Sequence, residues 1–277
     1  MTAGRSALLA ASLLGVAACS LLTDLDELHG GSGDAGGGAS GSPEGAAPDA
    51  GGGDATGGDG AGTSSSGTLT DGGLDCSGAT FCDGFERDAF QGAWPDFSLT
   101  KASKLSIARD RARSGSSSLR CALTASEAVA AMLIMDLAAA KAIELRYAFW
   151  VDSAVRQTNM WGLAFIDGST QRTLFLKIAD GKATYADELI VGGVVKSESE
   201  SDAVDVPLGR WVEVAVFLDV AARLGRAELD GKVLVDAYSV GDLPTDAAKL
   251  FGGVSYAAAG PAYDIYVDDV RLTVTRK

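Results

Sequence analysis

The stretch of sequence that decides the fold is residues 207–236, PLGRWVEVAVFLDVAARLGRAELDGKVLVD. Over residues 211–219 every second side chain is aliphatic, and this period of two is typical of a β-strand with one apolar face. The aliphatic positions are Val212, Val214, Val216 and Leu218. Further on, Asp230-Gly231 separates two shorter runs, and Asp-Gly there indicates a hairpin because both turn residues adopt positive φ.

Short runs of the same kind recur along the rest of the chain from Phe81 onward, and Asp-Gly or Gly-Gly pairs lie between many of them. No long helical pattern interrupts them. This arrangement predicts an all-β domain, a two-sheet antiparallel sandwich. The predicted strands are Phe81–Glu86, Lys104–Ala108, Ser117–Leu123, Val129–Asp136, Ile143–Val151, Met160–Ile166, Arg172–Ala179, Lys182–Val191, Trp211–Asp219, Leu224–Asp230, Lys232–Asp236, Leu250–Tyr256 and Tyr263–Val274.

The charge of the chain is unevenly distributed. The 277 residues carry a formal charge of −14, of which ten acidic residues and no Lys or Arg lie between Asp24 and Asp75. The region from residue 76 onward has 22 basic and 27 acidic residues, so its net charge is only 22 − 27 = −5. Without a basic patch, nucleic acid is not an expected partner. The one histidine, His29, precedes the predicted domain, which disfavours most zinc sites and histidine general bases there.

The N-terminus has the features of an export signal. Arg5 precedes an apolar run that ends in Val16-Ala17-Ala18-Cys19 and is too short to be an ordinary membrane-spanning helix. Small residues before a cysteine resemble the lipobox of bacterial lipoproteins. The resemblance implies cleavage after residue 18, lipid attachment to Cys19 and membrane contact through that anchor alone. Ser20 then implies sorting to the outer membrane. The alternative is a plain secretory signal.

Residues 19–75 are predicted to be a disordered tether. Half of the 36 glycines lie between Gly30 and Gly73, mixed with Ala, Ser, Asp and Pro and with few large apolar side chains. Such a composition cannot bury enough apolar surface to offset the entropy lost on folding. The predicted organisation is therefore a lipoprotein signal peptide over residues 1–18, the tether over 19–75, and one folded domain over 76–277.

Four pieces of the predicted domain together resemble the concanavalin A-like (laminin G-like) jelly roll. The resemblance implies two curved antiparallel sheets with the first and last strands side by side, and it implies little about function. The pieces are Phe81-Cys82-Asp83-Gly84-Phe85-Glu86, Ser114-Gly115-Ser116-Ser117-Ser118-Leu119-Arg120, Gly209-Arg210-Trp211-Val212-Glu213-Val214 and Tyr266-Val267-Asp268-Asp269-Val270-Arg271-Leu272.

The catalytic patterns of this superfamily are poorly matched. Its glucanases carry several acids on one strand, and retaining cleavage needs two carboxyl groups about 5 Å apart. The motif Glu228-Leu229-Asp230 ends in the turn, while Glu198, Glu200 and Asp202 are predicted to lie in a polar loop. The lyases of the fold generally use a histidine, which the domain lacks. We expect no catalytic residues, although an enzyme with an unrecognised site stays an alternative.

Acids at the two ends of the domain are candidate metal ligands. In related carbohydrate-binding modules, acids near the first and last strands help to hold a structural calcium ion. The resemblance assigns that role here to Glu86, with Asp83 nearby, and to Asp268 or Asp269. Because neighbouring residues on a strand point to opposite faces, only one of the two aspartates can be a side-chain ligand unless a bulge intervenes. The alternative is that all four are ordinary strand-end charges.

Three cysteines lie in the predicted domain. Cys76 and Cys82 enclose a short flexible loop and are predicted to form a disulfide, with Cys82–Cys121 as the rival pairing. Cys121 alternates with Leu119 and Leu123, which predicts a buried thiol on an inner face.

Exposed aromatic rings are candidates for stacking on sugars. The resemblance assigns Trp211 to the core, and the alternation assigns Tyr147 and Phe149 there as well. Trp150, Trp161 and Tyr185 remain as candidates for a concave binding face.

The sequence thus predicts a lipid-anchored cell-envelope binding module, for carbohydrate in the first instance, with one structural calcium ion. The alternatives are a glycoside hydrolase or polysaccharide lyase, and a structural or adhesive surface protein without a small ligand.

Overall fold

The structure, a computed structural model, describes residues 70–71, 73–100, 103–124 and 128–277. The predicted signal peptide, Cys19 and most of the predicted tether lie outside these ranges. Within them the chain forms 18 strands and one short 3-10 turn at Phe90–Gly92. In chain order the strands are β1 Thr70–Asp71, β2 Leu74–Asp75, β3 Phe81–Asp83, β4 Asp96–Leu99, β5 Lys104–Ala108, β6 Ser118–Leu123, β7 Val129–Leu137, β8 Ala140–Trp150, β9 Thr158–Asp167, β10 Thr170–Ala179, β11 Lys182–Val191, β12 Val194–Glu200, β13 Val204–Asp205, β14 Trp211–Asp219, β15 Leu224–Leu229, β16 Lys232–Ser239, β17 Ala248–Ala257 and β18 Tyr263–Arg276.

The strands form two sheets of eight strands each, and β1 and β2 pair only with each other. Sheet 1 has the order β12-β11-β10-β9-β17-β7-β4, and β13 also pairs with β11. Sheet 2 has the order β16-β15-β14-β8-β18-β6-β5, and β3 also pairs with β18. Neighbouring strands in both sheets are antiparallel. The predicted all-β, two-sheet antiparallel jelly-roll sandwich is confirmed.

The core lies between the sheets, and β14 supplies its aliphatic face to it. Val212, Val214 and Leu218 are completely buried, and Val216 nearly so. Leu229 pairs with Lys232 across the Asp230-Gly231 turn, where both residues have positive φ (50° and 72°). Both the face and the hairpin are therefore as predicted.

The two ends of the domain meet on sheet 2. β3 pairs with β18, and the backbone N–H of Thr80 donates to the carbonyl of Leu272 at 2.8 Å. Cys76 and Cys82 form a disulfide, so the favoured pairing is the one present. Cys121 is a free, buried thiol, and burial raises its pKa to about 12. The predicted buried thiol at this position is therefore confirmed.

Two features differ from the predictions. Of the polar segment predicted as a loop, Glu198 and Glu200 lie in β12, an edge strand of sheet 1, while Asp202 lies outside the strands. Trp211 does not lie between the sheets but on the outer side of sheet 2, half-buried, where its indole N–H donates to the carbonyl of Ala112 at 3.1 Å. None of the described residues belongs to a helix long and apolar enough to cross a bilayer.

Candidate functional site

Asp83, the first of the four candidate metal ligands, is fully buried, and its carboxylate oxygens accept hydrogen bonds from other groups of the protein. Its carboxylate accepts the backbone N–H of Phe85 at 2.9 Å and the indole N–H of Trp94 at 2.8 Å. Arg87 lies 3.2 Å from the same carboxylate. These bonds fix the turn after β3 and one core tryptophan, which is a structural role.

Glu86 holds the loop before β6. It accepts the backbone N–H groups of Ser116 and Ser117, at 2.9 and 3.1 Å, and the hydroxyl of Ser116 at 2.7 Å. Burial alone would raise the pKa of Glu86, but these hydrogen bonds outweigh it and hold the pKa below its ordinary value. Gly115 has φ +59°, and a Cβ there would lie 2.2 Å from the carboxylate. The loop therefore wraps the carboxylate closely.

Asp268 and Asp269 both reach that loop because a β-bulge lies between them and Arg271. The register of β18 against β8 shifts there, and Asp269 has φ 54°. The Asp268 carboxylate accepts the backbone N–H groups of Arg113 and Ser114, at 2.8 and 3.3 Å. Asp269 accepts the hydroxyl of Ser114 and lies 3.4 Å from the Arg113 guanidinium. The restriction to one aspartate of the pair therefore does not apply.

Of these four acids, Asp268 has the environment that best suits a cation. It is completely buried, and its hydrogen bonds come only from backbone N–H groups, those of Arg113, Ser114 and Asp269. Burial raises the pKa of Asp268 to about 7. No group of three or more His, Cys, Asp or Glu side chains suited to a metal occurs among the described residues. A calcium ion would thus need backbone carbonyl groups and water for most of its oxygen ligands.

Two of the three candidate sugar-stacking rings are in the core, so these two predictions are wrong. Trp161 is 1% exposed and stacks on Tyr147, with ring centroids 5.1 Å apart. Its ring lies over Gly252, where a Cβ would be 2.9 Å from the indole. Tyr185 is 2% exposed and packs edge-on against Tyr238. Neither ring has a face available for a sugar.

Trp150 is half-buried on the outer side of sheet 2, and its ring is covered by the chain itself. The Arg111 guanidinium lies over Trp150 at 4.5 Å and over Tyr266 at 4.7 Å. Asp152 accepts both the Trp150 indole N–H and an Arg111 N–H, each at 2.7 Å. The loop before β6 is thereby attached to sheet 2. Trp150 is part of this attachment.

A shallow surface depression lies beside that attachment, at the β5 and β6 end of sheet 2. Its volume is about 640 Å³, and its lining includes Lys104, Tyr263 and an ion pair between Arg120 and Asp264 at 2.7 Å. It contains none of the predicted site residues.

Sheet 1 has a second buried face on the side away from the core, here called the outer face. The cross-strand register defines it as four rows of side chains, and it includes a separate apolar strip of Met132, Ile134, Ala164, Ile166 and Phe251. The first row is Glu200, Ala186, Phe175, Gly162, Phe251 and Ile134, and the second is Glu198, Glu188, Thr173, Ala164, Lys249 and Asp136. The third row is Thr184, Lys177, Asn159 and Tyr256, and the fourth is Ile190, Gln171 and Ile166.

The central side chains of the outer face are buried. Phe175, Ala186 and Phe251 are at most 4% exposed, although the only described helical segment is the 3-10 turn. Side chains on an uncovered flat sheet would be more exposed, so we attribute their burial to a sheet that curves around this face and makes it a recess. Extra residues in β9, β12 and β17 produce register irregularities that favour such curvature, because bulges bend strands. At Gly162 a Cβ would lie 2.5 Å from the Leu174 carbonyl, so the floor of the recess excludes any side chain there.

Charged side chains lie at the β12 end of the outer face. Lys177 donates to Glu198 at 3.2 Å and to Glu200 over a shorter contact, while Thr184 donates to Glu200 at 3.0 Å. Burial alone would lower the pKa of Lys177, but the hydrogen bonds to the two glutamates outweigh it and raise the pKa. Burial alone would raise the pKa of Glu200, and the bond from Lys177 lowers it instead. The Oδ1 of Asn159, beside Lys177, is buried without a hydrogen-bond partner.

Comparisons with known proteins identify a shared fold. No protein-family model matches the chain, and no curated protein matches it. Among solved structures, the endo-β-1,4-glucuronan lyase from the fungus Trichoderma reesei superposes with a TM-score of 0.56 at 12% identity, over 71% of this chain and 96% of the lyase. The cellulose-induced protein Cip1 superposes with a TM-score of 0.51 at 15% identity, over 71% of this chain and 98% of that protein. At such identities the likeness concerns the sandwich architecture.

Proposed function

We propose that the protein is a non-catalytic carbohydrate-binding module that takes its ligand on the outer face of sheet 1. The observation that carries the proposal is the recess itself. It combines an apolar strip with hydrogen-bonding side chains on the neighbouring strand β10, Gln171 and Thr173, and with Asn159 farther along β9. Ligand sites of proteins are typically concave, mainly apolar and edged by a few polar groups.

A sugar chain suits this arrangement chemically. A pyranose ring presents C–H groups on its faces and hydroxyl groups around its edge. The faces would pack on Ile166, the half-buried member of the strip, and the hydroxyls would meet the polar side chains beside it. The fold shared with a glucuronan lyase is compatible with a polysaccharide partner.

A glycan-degrading enzyme is the second candidate, because Glu198 and Glu200 lie side by side on one strand face and share Lys177. Retaining glycosidases need two carboxyl groups about 5 Å apart, one of them protonated. Here the shared ammonium lowers the pKa of Glu200, which opposes the protonated form. The pair is therefore better suited to binding than to acid catalysis.

Two further parts of the proposal come from the sequence. The lipobox-like run before Cys19 supports attachment to the cell envelope, in the outer membrane. Asp268 supports one structural calcium ion beside the loop between β5 and β6, which Glu86 and Asp269 also contact.

The test is a glycan-array screen of the full chain, in calcium and in chelator, followed by Ile166→Asp. Ile166 is half-buried at the end of the strip, so a carboxylate there should reduce binding of any array hit at least tenfold without unfolding the domain. The matched control is Val233→Asp, since Val233 is 48% exposed on sheet 2. Equal affinity of both variants would place the ligand elsewhere. Absence of any hit would favour the structural or adhesive reading.

A further inference from the structure

The surface depression at the β5 and β6 end of sheet 2 lies in a part of the molecule that the proposed function does not use. In the register of the sheet, Lys104 and Asp264 stand on either side of Ala122, on neighbouring strands. A small alanine between two long side chains leaves a gap, and this gap belongs to the depression. Its volume of about 640 Å³ is within the range of pockets that bind small organic ligands.

Two cations lie beside this gap. Arg120 is two residues before Ala122 on β6, so its side chain is on the same side of the sheet as that of Lys104. The two positions are diagonal neighbours on adjacent strands, about 7–8 Å apart. Lys104 is exposed and forms no ion pair with the residues that the structure describes. Arg120 bonds to Asp264 through Nη2 at 2.7 Å, while its Nε has no hydrogen-bond partner.

A third cation, Arg156, lies behind the wall of the depression. Its guanidinium lies over the ring of Tyr263 at 5.2 Å and donates through Nη2 to the carbonyl of Thr124 at 2.9 Å. Tyr263 and Thr124 both line the depression. The Nε and Nη1 of Arg156 are buried without a hydrogen-bond partner, and none of the described carboxylates forms an ion pair with it. Because a buried charge without a counter-ion is unfavourable, an anion bound nearby would stabilise this side chain.

Positive charge is therefore in excess at this end of sheet 2. Among the described residues, the three cations face one acid in the depression, Asp264, so the local sum is 3 − 1 = +2. The next acid that influences Arg120 is Asp110, which follows the opposite end of β5 from Lys104. With Asp110 included, the sum is still 3 − 2 = +1. The depression is a cationic spot on a domain that is acidic overall.

We propose that this depression is a second ligand site, which binds a small carboxylate that also carries hydroxyl groups, such as a uronic acid. The carboxylate would lie between Lys104 and Arg120, where both bonds are charge-assisted and therefore strong. The rest of the molecule would cover Ala122, and its hydroxyl groups would meet those of Ser106 and Thr124, which line the depression. The site is on a different sheet from the outer face and does not depend on the proposed function.

The experiment is titration calorimetry of the full chain with glucuronate, glucose and acetate at low salt. Glucuronate should bind at least about fivefold more tightly than glucose, which lacks the carboxylate. It should also bind more tightly than acetate, which lacks the hydroxyl groups. Because the preference over glucose is electrostatic, it should shrink at high salt. Absence of glucuronate binding, or equal binding of glucuronate and either of the other two compounds, would overturn the proposal.

Two variants with opposite effects locate the site. Lys104→Gln removes the unpaired ammonium and should weaken glucuronate binding about two- to fivefold. Asp264→Asn frees Arg120 from its partner and should strengthen binding by a similar factor. The matched control is Lys141→Gln, which removes an exposed lysine of β8 outside the depression and should keep the parent affinity. Melting midpoints would verify that all three variants are folded.

Parent-like affinity of Lys104→Gln, or weaker binding by Asp264→Asn, would overturn the proposed site. Neither result would affect the proposed function, which is tested separately by Ile166→Asp on sheet 1.

Discussion

At the scale of single residues, Asp268 makes stability depend on pH. Its carboxyl group is completely buried, and its pKa is raised to about 7 by that burial, against about 3.9 in an unfolded chain. Between these two values the folded state keeps a proton that the unfolded state releases. Stability should therefore fall as pH rises through this window, by a total of about 4 kcal/mol.

Asp268→Asn removes this titration. The free energy of unfolding of the parent and of Asp268→Asn is measured with denaturant from pH 4 to pH 8. As pH rises between the two pKa values, the free energy of unfolding of the parent should fall relative to that of Asp268→Asn. Asp167→Asn serves as the control, because Asp167 is exposed at the end of β9 on sheet 1, away from Asp268, and should retain the parent slope. Parallel profiles for the parent and Asp268→Asn would show that Asp268 is ionised in the folded protein.

The calcium proposal predicts a specific change in that behaviour. A bound cation would favour the ionised form of Asp268, so calcium at pH 7.5 should stabilise the parent by about 2.7 kcal/mol at a hundredfold excess over Kd. Asp268→Asn should lose most of this gain, and magnesium should replace calcium poorly. Equal melting midpoints of the parent in calcium and in chelator would leave Asp268 a buried structural acid that holds no metal.

At the scale of elements, β14 should be the strand least tolerant of charge. Val214 is completely buried in the core, so Val214→Asp would bury an unpaired carboxylate and should cost at least about 3 kcal/mol, a large share of the total stability of a typical domain. Phe217→Asp is the control, because Phe217 lies on the opposite face of the same strand and is 43% exposed. Thermal melts of the two variants should differ clearly. Similar midpoints would contradict a central role for this strand.

Alternation along β14 revealed its inner face because one face is apolar and the other mixed. In β9 the same argument fails. Trp161 faces the core, yet Ala164 and Ile166 on the other face are apolar as well, so the sequence does not distinguish the two sides. The edge strand β12 has charged or polar residues on both faces and no apolar period at all. Its pairing with β11 identifies it as a strand, and pairing is not visible in its own sequence.

Sites assembled from distant segments of the chain are likewise hard to predict from the sequence. Motifs in the sequence pointed to the acids at the two ends of the domain. In the structure Glu86, Asp268 and Asp269 contact one loop, whereas Asp83 bonds to Trp94 instead. The outer face of sheet 1 was not predicted, because it depends on the register of six strands. The one available signal was the two-residue spacing of Glu198 and Glu200, which is typical of side chains on the same face of a strand.

At the scale of the whole molecule, the proposed lipid anchor should determine where the protein is located without affecting how the domain folds. Cys19→Ala should release the protein from membranes after a high-salt wash, because no other anchor is proposed. The melting midpoint should be unchanged, since Cys19 lies far in sequence from the first core strand, β3. Retention of the variant in the membrane fraction would refute the anchor.

The meeting of the two chain ends also determines how the domain carries mechanical load. A pull through residue 76 reaches β3 across the Cys76–Cys82 bond, so residues 77–81 cannot be drawn out first. The load then passes to β18, which is an interior strand of sheet 2 and pairs with β8 along most of its length. Tension from an anchored N-terminus is therefore borne by the middle of a sheet, and peeling of an exposed edge strand is avoided.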